Sequence, residues 1–427
     1  MKLAFISDTH FGDPMCTLVN HRTLRKGAKF DSFAEATGKN NDFLVLLGDI
    51  FDFSITSYEE AYKRAKVFFQ LVKENRIAKN IIYVPGNHDF DMWHTVQQQI
   101  KIIYQVRKGK LALSFRWSLP GLIDDRSSSS KRGFLLPGVL DEPVNPNRKP
   151  SAERMFLNGI TKNPDGGGSE TNFYIAYPNL YMVTDKESLI FTHGHYLEAF
   201  WIISGEWIRK IALEDLSDAD RLEDIVGLNV PLCQLSCSGI GQAGRLTPLV
   251  QKVQREVKDG KLERVKKYAA RFDDALDELT KVKLLKPKSL ARELILDKIS
   301  KEAREEFIKS LEERDDTRYS EAFVEREDVQ QRFIRYYQAS WKEIRQLKSK
   351  DRLGIKQPRK VIFGHTHRPM EWLASNAPTT VVNGKSVRLY NTGGWLWKKS
   401  KNGTKEFCGA EVFKYDSDSG FNSQRVT

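Results

Sequence analysis

Cysteine is scarce in this chain: four residues in 427, namely Cys16, Cys233, Cys237 and Cys408. They form no CxxC pair and no zinc-ligand spacing, which excludes a disulfide framework or a zinc-finger scaffold. In a chain of this length they read as reduced intracellular thiols. No run of about 18 apolar residues occurs, which excludes a bilayer-spanning helix. No basic-then-apolar leader precedes the first apolar run, so the expected location is cytoplasmic, with peripheral membrane association left open. Internal repeats are absent, and histidine is rare, with eight residues in all.

What is present is the composition of a globular domain with an ample core, 40% hydrophobic and 29% charged. The net charge of +12 and a pI near 9.3 favour anionic partners: nucleic acid, phosphorylated metabolites or lipid head groups. Short apolar runs at 3–6, 43–47, 81–84, 189–191, 361–363 and 387–390 predict strands buried on both faces. Between two of them, 59–74 carries Ala61, Ala65, Phe68, Phe69 and Val72 at helical spacing. Strand and helix in alternation predict an α/β layered fold.

Two stretches break that rhythm. Residues 124–168 are rich in Ser, Pro and Gly and predict a long loop. Residues 198–357 are helical in pattern, with one apolar stripe at Val265, Tyr268, Phe272, Leu276 and Leu279. A second stripe runs through Ile334, Tyr337, Trp341, Ile344 and Leu347. From 245 to 350 there are 27 Lys or Arg against 21 Asp or Glu, so half of the net charge falls there.

The chemistry lies in the polar clusters that follow the strands. They are Asp8-Thr9-His10, Gly48-Asp49-Ile50-Phe51-Asp52, Gly86-Asn87-His88-Asp89, Thr192-His193-Gly194-His195 and Gly364-His365-Thr366-His367. Six of the eight histidines fall in them, and only His21 and His94 do not. Carboxylate, imidazole and amide oxygen together suit divalent Mn, Fe, Co or Zn. The x-spaced pairs Asp8/His10 and His365/His367 put two side chains on one side of an extended segment. Glycines at 48, 86, 194 and 364 allow tight turns and close backbone approach. Ligands of open α/β sheets bind beyond the carboxyl ends of strands, where these clusters lie.

This ordered set resembles the calcineurin-like metallophosphoesterases, whose pattern is D-x-H, G-D-x-x-D, G-N-H-D/E, H and G-H-x-H. The resemblance covers about the first hundred residues, the segment around His193, and 361–395. It implies two packed sheets flanked by helices, a two-sheet sandwich into which the helical stretch, outside the resemblance, is inserted, and two divalent metal ions, with Mn first and Fe, Zn, Co or Ni as alternatives. It implies one ion held by Asp8, His10, Asp49 and His367, and a second by Asp49, Asn87, His193 and His365. It further implies hydrolysis of a phosphomonoester or phosphodiester by metal-activated hydroxide. His88 is similar to the family's general acid and Asp52 to the carboxylate that orients it, while His195 is expected either to touch substrate phosphate or to support a ligand from behind. The expected core is 1–197 with 358–427, and 198–357 is expected to be an inserted helical cap.

Departures narrow the substrate. Phe53-Ser54 stands where protein phosphatases have Arg-Gly, which speaks against a phosphoprotein. The run GHTHRP at 364–369 is similar to the ending motif of UDP-diacylglucosamine pyrophosphohydrolases, which keeps a lipid-linked substrate as an alternative. A nuclease is the other alternative, on the strength of the basic helices. A scaffold that has lost its metal ligands does not fit, since every ligand position is filled.

Overall fold

A computed structural model describes residues 1–129, 132–135, 171–211, 221–240, 323–346, 355–399 and 404–427, with scattered positions between 242 and 310. The stripe at 265–279 lies outside the described residues, as do 136–170 of the expected loop.

All six apolar runs form strands. Lys2–Ile6, Asn41–Leu47, Ala78–Val84 and Asn172–Ile175 are parallel neighbours in a six-stranded sheet. Ala410–Asp416 and Gly420–Val426 extend it antiparallel beyond Lys2–Ile6. A second sheet has seven strands, in the order Thr379–Val382, Lys385–Asn391, Lys360–Phe363, Ser188–Thr192, Asn179–Thr184, Gly121–Asp125 and Gly133–Leu135. Within it Lys385–Asn391, Lys360–Phe363 and Ser188–Thr192 are parallel. The chain is thus a mixed α/β protein with several sheets and helices.

Period-two alternation sorts each strand's side chains between two cores. Leu3, Phe5, Val45 and Ile82 join Met182, Leu189, Phe191 and Ile362 of the other sheet in one buried cluster. Phe5 and Phe191 stack there with ring centroids 4.4 Å apart. Ala4, Ile6, Leu44 and Ile81 face the opposite way, into a cluster shared with the helices. Burial on both faces is why the strands read as continuous apolar runs.

The helix Tyr58–Glu74 starts where Ser57 accepts a hydrogen bond from the Glu60 amide at 3.3 Å. Glu59 and Glu60 sit in its first turn and Lys73 in its last, each favourable to the helix dipole. Ala61, Ala65, Phe68, Phe69 and Val72 are all buried. Emptying the Phe68 site by Phe68→Ala is of the kind that costs about 3–5 kcal/mol.

The span expected to be a loop begins differently. Gly133–Leu135 pairs antiparallel with Gly121–Asp125 and buries Phe134 and Leu135. Three residues beside a run of Ser and Arg are too few to show a period. Within 198–357 the described elements are the helices Ala199–Ile211, Leu222–Gln234 and Glu327–Gln346, a wider-wound turn at Leu235–Ile240 and a short turn at Phe323–Glu325. Among the described residues no helix is long and apolar enough to cross a membrane.

Candidate metal centre

Asp8 and His10 follow Lys2–Ile6, Asp49 and Asp52 follow Asn41–Leu47, and Asn87 and His88 follow Ala78–Val84. These strands are parallel, so their carboxyl ends meet along one edge. The second sheet brings His193 and His195 after Ser188–Thr192, and His365 and His367 after the parallel Lys360–Phe363.

The loops are tied to one another through backbone. The Asp8 amide donates to Gly48 at 3.0 Å and the His10 amide to Asp49 at 2.9 Å. The Gly364 amide donates to the His193 carbonyl at 3.0 Å. Asp8, His10, Asp49, His365 and His367 all have φ between 47° and 69°. They make up half of the ten non-glycine positive-φ residues among the described positions. Left-handed backbone at such residues is costly and concentrates where surrounding structure over-determines a site. Gly48, at φ 86°, lies so close to His193 that a β-carbon would fall 2.4 Å from its ring. At Gly364 a β-carbon would come 2.4 Å from Asp8 Oδ2.

Hydrogen bonds fix which ring nitrogen faces inward. His193 Nδ1 donates to the Leu47 carbonyl at 2.9 Å, leaving Nε2 for the centre. His10 Nδ1 meets Asp52 Oδ2 at 2.9 Å, again leaving Nε2. His365 is reversed: its Nε2 is held by Glu198 Oε2, so Nδ1 faces inward.

Two groups of donor atoms result. His367 Nε2 lies 3.1 Å from Asp8 Oδ1 and 3.3 Å from His10 Nε2. His193 Nε2 lies 3.0 Å from Asn87 Oδ1, 3.2 Å from Asp49 Oδ2 and 3.3 Å from His365 Nδ1. Asp49 Oδ2 is also 3.7 Å from His10 Nε2, and the His88 amide donates to Asp49 Oδ1 at 2.8 Å. Nitrogen or oxygen donors about 2.1 Å from one ion lie about 3.0–3.4 Å from each other at octahedral to tetrahedral angles. The donor types and the separations of 3.0–3.3 Å therefore fit divalent cations, with His10 somewhat farther from Asp8 and Asp49, at 3.8 and 3.7 Å. Asp8 Oδ1 and Asp49 Oδ2 are buried without a hydrogen-bond donor among the described residues, as a cation's ligands would be.

Electrostatics agrees. Burial alone would raise the Asp8 and Asp49 carboxyls, yet the surrounding imidazoles hold both well below the usual range. Burial opposes the charging of His10 and His193, but the carboxylates push each up to about 9. The pocket is built to hold positive charge.

His88 and Asp52 come together as well. Asp52 Oδ1 lies 3.0 Å from His88 Nδ1, and Ser54 Oγ is 2.7 Å from that nitrogen and 2.6 Å from Asp52 Oδ1. Asp52 thus serves two imidazoles, His10 and His88. His195 is 1% exposed, with both ring nitrogens lacking a hydrogen-bond partner among the described residues. Burial, then the charges of His193 and His365, hold its pKa well below the ordinary value, so the ring is neutral. His21 pairs with Arg64 and His94 lies beside Phe115, away from the centre.

Some contributors carry no motif. Glu198 buttresses His365 from 167 positions away. Asp89 accepts from the Ile50 and Gly86 amides at 2.6 Å and from Tyr83, fastening two ligand loops together. Cys237 Sγ meets the Asn87 carbonyl at 3.1 Å, and Trp201 brings its ring 6.2 Å from His88. The run Gly-Asn-His-Asp at 86–89 was a signal for Asp89; nothing local marked Glu198 or Cys237.

A sequence model described as calcineurin-like phosphoesterase matches residues 1–224. The match takes in Asp8 through His195 and ends before His365 and His367. No curated protein matches the chain.

Proposed function

Because the chain belongs to the calcineurin-like phosphoesterase family, we propose that it is a dinuclear-metal-dependent hydrolase of a phosphomonoester or phosphodiester. The observation that carries this reading is the pair of donor groups on either side of Asp49, with separations of 3.1–3.8 Å in one and 3.0–3.3 Å in the other. Asp8, His10, Asp49 and His367 would hold one ion, and Asp49, Asn87, His193 and His365 the other, with Mn the first choice. Bound there, two divalent cations supply Lewis acidity to the phosphoryl oxygens and acidify water.

The chain's own groups do the rest. Asp49 Oδ2 faces both donor groups while its other oxygen is pinned by the His88 amide. His88, oriented through Nδ1 by Asp52 and Ser54, gives a proton to the leaving oxygen from Nε2. His195, neutral and buried, donates a hydrogen bond to a phosphate oxygen. Residues 1–197 and 358–427 form the core, a sandwich of the two sheets, and the helices of 198–357 cap the centre. Trp201 supports the cap reading, since it is buried beside both His88 and His195. The partner is an anionic phosphorylated compound and the location cytoplasmic.

The test is a screen of the Mn-loaded protein against phosphomonoesters, phosphodiesters, nucleoside diphosphate sugars and single-stranded DNA. Turnover of a mono- or diester that Asp49→Asn abolishes is the expected result. Turnover confined to the diphosphate sugars or to DNA would move the substrate to the lipid-linked or nuclease class. No turnover of any class by protein with metal bound would overturn the reading.

A further inference from the structure

The segment that follows the buried helix Asp91–Gln97 projects from the fold. It winds through Gln98–Ile103 and Tyr104–Arg107, then turns back at Gly109, φ 68°, until the Leu113 amide donates to the Lys101 carbonyl at 2.8 Å. The Lys110 amide closes the turn on Gln105 at 3.0 Å. The projection is therefore held by its own backbone bonds. Yet it shows water an unusual set of side chains: Ile102 at 40% exposed, Ile103 at 45%, Val106 at 59%, Leu111 at 89% and Leu113 at 49%. Five of the eleven large exposed hydrophobics among the described residues lie within these twelve positions, and Tyr104 makes a sixth. Scattered apolar side chains need no explanation; a cluster of this kind does.

Its charge is equally one-sided. Lys101, Arg107, Lys108 and Lys110 lie in the same span, and no Asp or Glu occurs from 92 to 123. Lys108 Nζ lies 4.1 Å from the Tyr104 ring centre, which places a cation directly on the apolar surface. Apolar side chains that insert, ringed by cations that meet anionic head groups, are the two components of interfacial membrane binding. A second copy of the chain is a poor occupant, because a two-fold contact would set the cations against themselves. A nucleic-acid backbone would use the cations and leave Leu111 and Val106 idle.

We propose that residues 98–113 dock the protein onto the surface of an anionic lipid bilayer, with Val106, Leu111 and Leu113 entering the head-group region. The proposal stands apart from the catalytic reading, since none of these residues touches the metal centre. Flotation of the full chain with vesicles tests it. The chain is expected to float with equal parts phosphatidylglycerol and phosphatidylcholine, and not with phosphatidylcholine alone. Val106→Ser/Leu111→Ser and Lys108→Glu/Lys110→Glu should each lower partitioning about tenfold or more. Both pairs are exposed, so the melting temperature and the rate on a soluble ester should not move. Absence of flotation on the anionic vesicles overturns the proposal, as does equal flotation of the serine pair. If the chain does not float and the serine pair instead abolishes its self-association, or if it does not float and DNA binds through the same lysines, the surface belongs to another partner and the proposal fails.

Discussion

Glu198 and His88 illustrate how single side chains act through their neighbours. A carboxylate on the outer nitrogen of a ligating imidazole fixes its tautomer and raises its basicity. Glu198 holds the outer nitrogen of His365, a proposed ligand. Glu198→Gln keeps the shape and loses the charge, so divalent-metal affinity should fall about 10–100-fold. Calorimetric titration with Mn2+ reads this directly, and an unchanged isotherm would remove Glu198 from the centre's support. His88→Ala should slow an ester with a poor leaving group by about 10²–10⁴-fold. A p-nitrophenyl ester needs little protonation and should lose far less. Equal losses on the two would reassign His88 to binding. The candidate ligand residues stood out in the sequence because each sits within four positions of a strand end, where an apolar run stops. Glu198 and Cys237 did not, because their relation to those residues exists only once the chain is folded.

At the level of elements, six strands buried on both faces announced themselves as apolar runs, whereas Asn179–Thr184 and Gly121–Asp125, equally buried, and the strands of mixed character did not. Ala410–Asp416 alternates Glu411, Lys414 and Asp416 with apolar residues, and its Glu411 is buried against Arg425 at 2.6 Å. No apolar run marks it. The helix Glu327–Gln346 shows a subtler displacement. Apolar spacing pointed to Ile334, Tyr337, Trp341, Ile344 and Leu347; Tyr337 and Ile344 are buried, but so are Phe333, Tyr336 and Ser340, while Ile334 and Trp341 are only partly covered and Leu347 lies outside the described residues. Polar contacts turn the helix: Tyr336 donates to Asn179 Oδ1 at 2.7 Å, Asn179 Nδ2 to Ser340 at 2.9 Å and Tyr181 to Glu343 Oε2 at 2.7 Å. A count of apolar positions cannot see such bonds. They also carry a prediction. Burial pushes Glu343 up to about 7 from 4.5, against hydrogen bonds from Ser118 and Tyr181 that pull it down. The folded chain thus keeps a proton that the unfolded chain sheds, and stability falls as pH rises from about 4.5 through about 7. The shift corresponds to a loss on the order of 3 kcal/mol. Glu343→Gln cannot titrate, so the melting temperature of the variant minus that of the parent should be higher at pH about 8 than at pH about 5. A difference that does not vary with pH would show that Glu343 stays ionised throughout.

For the molecule as a whole, the candidate centre draws its donors from both sheets. Asp8, Asp49 and Asn87 follow strands of one sheet, and His193, His365 and His367 follow strands of the other. Cations held between them would bind the native chain and not the unfolded one, so each should add stability by mass action. The gain is about 2.7 kcal/mol at a free concentration a hundred times the dissociation constant. Protons compete for the same pocket. His10 and His193, raised to about 9 by the carboxylates, add stability to the metal-free chain that is fully present below their unfolded value of 6.5. That contribution is lost as pH rises through about 9. Metal needs the neutral rings, so its own contribution grows over the same window. Mn2+ added to chelator-treated protein should therefore raise the melting temperature more at pH about 8 than at pH about 6. Asp49→Asn should lose most of that rise, because both donor groups share its carboxylate. Melting curves with and without Mn2+ at the two pH values decide the matter independently of any substrate. A rise that is equal at both, or one that survives Asp49→Asn intact, would place the bound metal somewhere other than between the two sheets.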